Sequence, residues 1–185
     1  YADTLPPEQF MYSMLTRSQR ISHENLRLRD AQWLGGYERW FAEQAGVQVP
    51  ADKPAPPPMF TPYTGRGLTL KNRVVVSPMA QYSAVDGVAG DYHLVHLGAR
   101  AMGGAAMVFA EMTCVSAQGR ITPGCPGMYT PEQKQAWRRI ADWIHTNTDA
   151  KFAMQIGHAG AKASTRLAWE GIDQPLKEGN WPIVS

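Results

Sequence analysis

NRVVVSPMAQYS, residues 72–83, decides how the rest of the chain is read. Val74, Val75 and Val76 form a β-branched run that fits a short strand buried on both faces. Ser77-Pro78 ends it, because proline has no N–H for a sheet ladder and sits at strand ends. Small, soft and aromatic residues follow: Met79, Ala80, Gln81, Tyr82 and Ser83. A buried strand opening into such a tip is how α/β barrels present a cofactor, since their active face is the carboxyl end of the strands. An ordinary strand and turn has the same local pattern, so the flanking chain has to decide.

Downstream, the pattern repeats. Asp91 is expected to cap a helix with an inward stripe of Leu94, Leu97 and Ala101, closed by Gly103-Gly104. The apolar run 105–112 reads as a second buried strand, followed by a long loop, 113–129. Thr130-Pro131-Glu132-Gln133 opens the next helix with a capping box and a first-turn proline, and its stripe is Trp137, Ile140, Ala141 and Ile144. Residues 152–156 form the third strand. Strand, helix, strand, helix, strand is the order of a parallel sheet with right-handed crossovers. Eight such units need about 250 residues; the residues after position 62 hold three and part of a fourth. The fold class expected is therefore α/β, the N-terminal part of a (β/α)8 TIM barrel within a longer protein.

Upstream, residues 1–46 read as helical and different in character. Asp30 is placed to cap a helix bearing Trp33, Leu34, Tyr37, Trp40 and Phe41 on one side, and the stretch before it, TRSQRISHENLRLRD, is charged. Residues 47–62 are proline-rich and fit a semi-rigid linker, with a domain boundary there. Leu68-Thr69-Leu70 suggests a small hairpin leading into the barrel portion, 63–185.

The formal charge of +2 and the absence of basic runs argue against a nucleic-acid partner. No run approaches the ~20 apolar residues of a membrane span, no signal-peptide pattern is present, and a cytoplasmic setting is expected. Cys114 and Cys125 lack zinc-ligand spacing. His93 and His96 have no carboxylate partner at ligand spacing, so no metal is expected. Neither G-x-G-x-x-G nor a P-loop occurs. Three tips should meet on one face: 78–80, 111–113 and 155–158. They offer backbone amides, the Gln155 carboxamide, the Tyr82 phenol and the His158 imidazole. Such a set is compatible with a flavin, whose imide edge takes a donor and an acceptor side by side. A buried Gln155 that satisfies loop backbone fits equally.

LTLKNRVVVSPMAQYSA, DYHLVHLGARAMGGAAMVFAEMTCVSAQGRITPG and QIGHAGAKAST, in that order, resemble the old yellow enzyme family of FMN-dependent ene-reductases. The tail STRLAWEGIDQPLKEGNWPIVS and the stretch TRSQRISHENLRLRD are similar to a narrower group, two-flavoprotein fusions acting on aromatic CoA thioesters. Examples are 2-aminobenzoyl-CoA monooxygenase/reductase and bifunctional salicylyl-CoA 5-hydroxylase/oxidoreductase. The resemblance implies that Ser77, Pro78, Met79, Ala80, Met112 and Gln155 contact FMN, and that Tyr82 faces substrate. It also implies NAD(P)H as reductant, an aromatic acyl-CoA substrate, a homo-oligomer, and FAD in an upstream monooxygenase domain of which residues 1–46 are the end. Ala80 departs from one branch, which often has cysteine there and uses its sulfur to tune the flavin. His158 is expected to order a loop and Glu111 to be structural. A βα scaffold without cofactor is the alternative.

Overall fold

The computed structural model describes residues 7–16, 30–171 and 173–183. They fall into two compact units divided between Val74 and Val75. Most of the charged stretch TRSQRISHENLRLRD lies outside the described residues.

In the first unit, helices α1 (Pro7–Thr16) and α2 (Ala31–Gln44) lead into the proline-rich stretch. Asp30 caps α2, its carboxylate accepting from the Trp33 N–H at 2.7 Å. Of the expected face Leu34 is buried, together with Glu38 and Ala42, while Trp33 and Trp40 stand 48% and 53% exposed. The rings cover one another instead, Trp33 stacking on Tyr37 at 5.5 Å and Tyr37 meeting Phe41 at 5.8 Å. That leaves the small Ala42 for close approach.

Residues 47–62, expected to be a linker, are packed into this unit. Arg39 donates to the carbonyls of Val49 at 3.0 Å and Lys53 at 2.9 Å, and Ala55, Pro58 and Thr61 are buried. A guanidinium satisfies carbonyls along an extended chain without needing the N–H groups that proline lacks. The expected hairpin is present, β1 (Tyr63–Gly65) antiparallel to β2 (Leu68–Leu70). Arg73 fastens its end by donating to the Thr61 hydroxyl and the Pro62 carbonyl, with its guanidinium 4.7 Å from the Phe41 ring centre.

The second unit holds β3 (Val75–Val76), α3 (Asp91–Met102), β4 (Met107–Cys114), α4 (Pro131–Asn147), β5 (Lys151–Gly157) and a short turn of helix, α5 (Ala168–Gly171). The sheet runs β3-β4-β5 and both pairings are parallel. The first strand is shorter and less buried than the valine run suggests. Val74 stands outside it and Val75 is 43% exposed, because β3 is an edge of this sheet. Asp91 is the first helical residue of α3 and Gly90 is its N-cap. The capping role passes to His93, whose Nδ1 accepts from the Gly90 N–H at 3.2 Å, freeing Asp91 to pair with Arg139 at 2.7 Å. The helix closes at Gly103-Gly104 as expected, with Gly104 at φ 102. The capping box of α4 is formed as read from sequence.

Helices cover one face of the sheet. Trp137 of α4 lies 6.2 Å from Phe152 and 5.7 Å from His93, ring centre to ring centre. Val108 is paired with Phe152 and Ala110 with Met154, so these positions share the helix-covered face. Parity changes at the carboxyl end of β4. Ala110 pairs with Met154 and Thr113 with Ile156, so Glu111 and Met112 together oppose Gln155. This β-bulge turns Glu111 toward α3 and Met112 onto the opposite face.

Trp137 is 2% exposed and its indole N–H donates to the Gly127 carbonyl at 3.2 Å. Trp137→Ala is expected to cost about 3–5 kcal/mol, read as a lowered denaturation midpoint with an unchanged slope.

Candidate active site

The carboxyl edge of the sheet brings three tips together: 77–83 after β3, Glu111–Met112 in β4, and Gln155–His158 at the end of β5. The first tip is locked by its own polar groups. The Gln81 carboxamide donates to the Met79 carbonyl at 2.9 Å and accepts from the Tyr92 hydroxyl at 2.9 Å. The Ser83 hydroxyl donates to the Gln81 carbonyl at 3.0 Å. From behind, Glu111 Oε2 accepts from the backbone N–H groups of Gln81 at 2.7 Å and Tyr82 at 3.4 Å.

Tyr82 is left-handed, with φ 52, which is uncommon for a bulky side chain. Its carbonyl side is fixed by Gly124. A methyl group there would sit 2.1 Å from the Tyr82 oxygen and 2.8 Å from Leu167 Cδ2, so only glycine allows the approach. The Ala84 N–H donates to the Gly124 carbonyl at 3.0 Å. Tyr82 also borders a cleft with Ile121, Thr122, Thr165, Arg166 and Asp173. Burial first, then the neighbouring Cys125, Asp173 and Glu111, push its phenol above the ordinary tyrosine value. Tyr82 is thus a neutral hydrogen-bond donor at working pH.

Met112 and Gln155 lie on the face turned away from the helices. Met112 Cγ and Sδ would be 3.0 and 3.1 Å from a methyl group at Gly157, and Gly157 shares its face with Gln155 by strand alternation. Gln155 is exposed, and its carboxamide makes no hydrogen bond among the described residues. Among the described residues it satisfies no loop backbone, the other role that its residue type allows. Ser77, Met79 and Ala80 are also exposed and Pro78 is half-buried. A flat, neutral ring with an imide edge fits this set. The carboxamide is free, apolar surface is available beside it, and the nearest carboxylate, Glu111, is turned to the other face.

His158 Nδ1 accepts from the Gly160 N–H at 3.0 Å, and its ring lies against Gly119. His93 and His96 do not converge. His93 faces Glu111, with Nε2 3.1 Å from Oε1, whereas His96 stacks on Tyr92 at 6.0 Å. Burial, then Arg100, lowers the His96 pKa. Cys114 and Cys125 are buried free thiols. The Cys114 thiol is pushed up, first by its hydrogen bond to Cys125 and then by burial. A cavity of about 560 Å³ lies between the 161–165 segment and the tail at 173–183 and contains none of the three tips.

Sequence reasoning missed the bracing of the tips. The signal available for Glu111 was an acid inside an otherwise apolar run, and for Gly124 a glycine between two prolines.

A parallel βαβαβ sheet with neutral groups at its carboxyl edge defines an α/β protein. Residues 58–179 match the NADH:flavin oxidoreductase / NADH oxidase family, and the chain belongs to that family of flavin-dependent oxidoreductases. It is 41% identical over 126 residues to an NADH:flavin oxidoreductase of Gibberella zeae, covering 67% of this chain and 30% of that protein. It is also 41% identical over 107 residues to an NADPH dehydrogenase of Bacillus cytotoxicus, covering 57% and 31%. Similar solved structures include morphinone reductase in complex with tetrahydroNAD, at a TM-score of 0.53 and 27% identity over 63% of this chain and 30% of that one. The Old Yellow Enzyme from Pichia sp. AKU4542 superposes at 0.54 with 27% identity, over 57% and 28%. The chain thus spans about three tenths of the length of these relatives, and its three-stranded sheet corresponds to part of their barrel. FMN and a reduced nicotinamide are expected of the family.

The raised pKa of Tyr82 has a testable sign. The unfolded phenol releases its proton near the ordinary value of 10.0, so above that pH the folded state holds a proton that the unfolded state has lost. The associated stability is present below that value and falls as pH rises through the folded pKa. A tyrosinate absorbance titration of the protein minus that of Tyr82→Phe is expected to show one late-titrating phenol; a midpoint at or below the ordinary value refutes the assignment.

Proposed function

We propose that this chain supplies the first strand tips of an FMN site in an NAD(P)H-dependent reductase of activated C=C bonds. The observation that carries the reading is the pairing, on one face, of Met112 with a Gln155 carboxamide that has no protein partner among the described residues. Gln155 would hold the imide edge of the ring, donating from its NH2 and accepting at its oxygen. Ser77, Pro78, Met79 and Ala80 would line the ring with backbone amides and small or soft side chains, and Met112 would add apolar contact. FMN bound here would supply two-electron chemistry, with a hydride from reduced nicotinamide passed on to one alkene carbon while the other takes a proton. Tyr82, neutral and held at a fixed backbone angle, would donate a hydrogen bond to the substrate carbonyl, polarising the conjugated double bond.

The finer reading is an aromatic acyl-CoA substrate in a protein whose upstream FAD monooxygenase domain hydroxylates it first. Its support is the similarity of 164–185 and 16–30 to the two-flavoprotein fusions. A cytoplasmic homo-oligomer belongs to the same reading. Among the described residues no helix is long and apolar enough to cross a membrane.

Two measurements on the complete holoenzyme test these statements. Gln155→Leu keeps the approximate volume but leaves the imide edge unpaired, at about 1–3 kcal/mol per group. FMN affinity is expected to fall about ten-fold or more; unchanged affinity and turnover refute the assignment. In stopped-flow mixing of the reduced enzyme, a hydroxylated aromatic acyl-CoA is expected to reoxidise the flavin faster than a simple cyclic enone. The reverse order removes the thioester reading and leaves the ene-reductase reading standing.

A further inference from the structure

Behind the cofactor-facing side of the sheet lies a buried ionisable pair that the proposed reaction does not use. Glu111 is 4% exposed and His93 is 1% exposed. Nε2 of His93 and Oε1 of Glu111 are 3.1 Å apart. The two atoms are close, yet neither completes a hydrogen bond among the described residues. The protonation pattern follows from the neighbours. Nδ1 of His93 accepts from the Gly90 N–H, so the ring proton of the neutral imidazole sits on Nε2, the ring atom nearest the carboxylate. That leaves Oε2 of Glu111 to accept from the backbone, where it takes the N–H groups of Gln81 and Tyr82.

A buried carboxylate is costly unless it is paired and hydrogen-bonded. An apolar residue would fill the same space in an otherwise apolar strand. What the acid adds is a charge-assisted grip on two successive N–H groups, at the one residue of this tip held at positive φ. The Tyr82 peptides are thereby fixed at both ends, the N–H on Glu111 and the carbonyl against Gly124.

We propose that Glu111, braced by His93, is a positioning residue for substrate binding: it clamps the Gln81–Tyr82 backbone and so aims the Tyr82 phenol, without itself touching cofactor or substrate. The kinetic part rests on the reading that Tyr82 faces substrate; the clamp itself does not. Glu111→Gln is the discriminating variant. Its single carbonyl oxygen faces either the backbone pair or His93, and each choice sets an NH2 group against an N–H donor.

In the complete holoenzyme, amide hydrogen exchange at Gln81 and Tyr82 is expected to quicken about ten-fold or more in Glu111→Gln, with α4 amides unchanged. Equal exchange in the two proteins overturns the clamp, whatever Tyr82 does. For aim, reoxidation of the reduced flavin by an enone is expected to slow in Glu111→Gln, while reduction by NAD(P)H changes much less. The double variant Glu111→Gln/Tyr82→Phe is expected to be no slower than Tyr82→Phe alone, because the two act through one group. Multiplying effects overturn the aiming role. If Tyr82→Phe alone leaves reoxidation unchanged, the substrate-side reading of Tyr82 fails and takes the aiming role with it, while the exchange result still decides the clamp. Should Glu111→Gln not fold, His93→Gln carries the exchange test by removing the brace, with the same amides expected to quicken and unchanged rates counting against the clamp.

Discussion

The bulge that sets Glu111 and Met112 opposite Gln155 is the constraint on which this site depends. A regular β4 would continue the alternation of Val108 and Ala110, both fully buried under the helices. Met112 would then point into that helix layer, and Glu111 would stand on the open face. One extra residue exchanges them. The thioether reaches the face shared with Gln155 and Gly157, and the carboxylate meets His93. An open face carrying Met112 and Gln155 in front and a buried carboxyl group behind thus come from one backbone irregularity.

The exchange has an electrostatic consequence. A carboxylate beside a cofactor that becomes anionic on reduction would oppose that reduction. Behind the sheet, the same carboxylate accepts from two backbone N–H groups and lies 3.1 Å from His93 Nε2. The cost of burying it is offset by those donors and by the packing around them, where Trp137 lies edge-on to the His93 ring.

Much of the fold was legible in the chain because its signals are local. The capping box at Thr130, the glycines closing α3 and the order of strands and helices depend on residues a few positions apart, and the structure has them. What was not legible depends on partners distant in sequence. The 47–62 stretch looked like a linker because Arg39, which satisfies its carbonyls, lies on another element. Asp91 looked like a cap because the back-bonding ring of His93 competes with no visible motif. The aromatic stripe of α2 looked like a core face, yet its rings stack on one another with both tryptophans exposed, and the buried positions are Leu34, Glu38 and Ala42. For the site, residue types suggested which groups a flat cofactor needs, but periodicity extended through β4 assigns Glu111 and Met112 to the wrong faces. A bulge has no sequence signature as strong as a turn or a cap.

The long loop after β4 is what joins the three tips into one body. It is long, but it is not loose. The Cys114 N–H donates to Pro126, Met128 returns a bond to Cys114, and the Gly127 N–H reaches the Gly87 carbonyl in the segment after β3. On its other side the Ala159 N–H donates to Gly119 and the Thr165 N–H to Ile121, while the Trp181 indole donates to Gln118 and its ring carries the Arg120 guanidinium at 4.8 Å. Backbone bonds dominate these links, so they tolerate varied side chains provided the chain can approach closely. Gly119, Gly124 and Gly127 are where it does, each with a side chain or carbonyl inside the space a Cβ would fill. The surroundings of Tyr82 are therefore built from three places in the sequence: its own tip, the loop around Thr122 and Gly124, and Thr165, Arg166 and Asp173 beyond β5. Tyr82 can keep its unfavourable backbone angle because Glu111 takes its N–H and Gly124 lets the loop pack against its carbonyl.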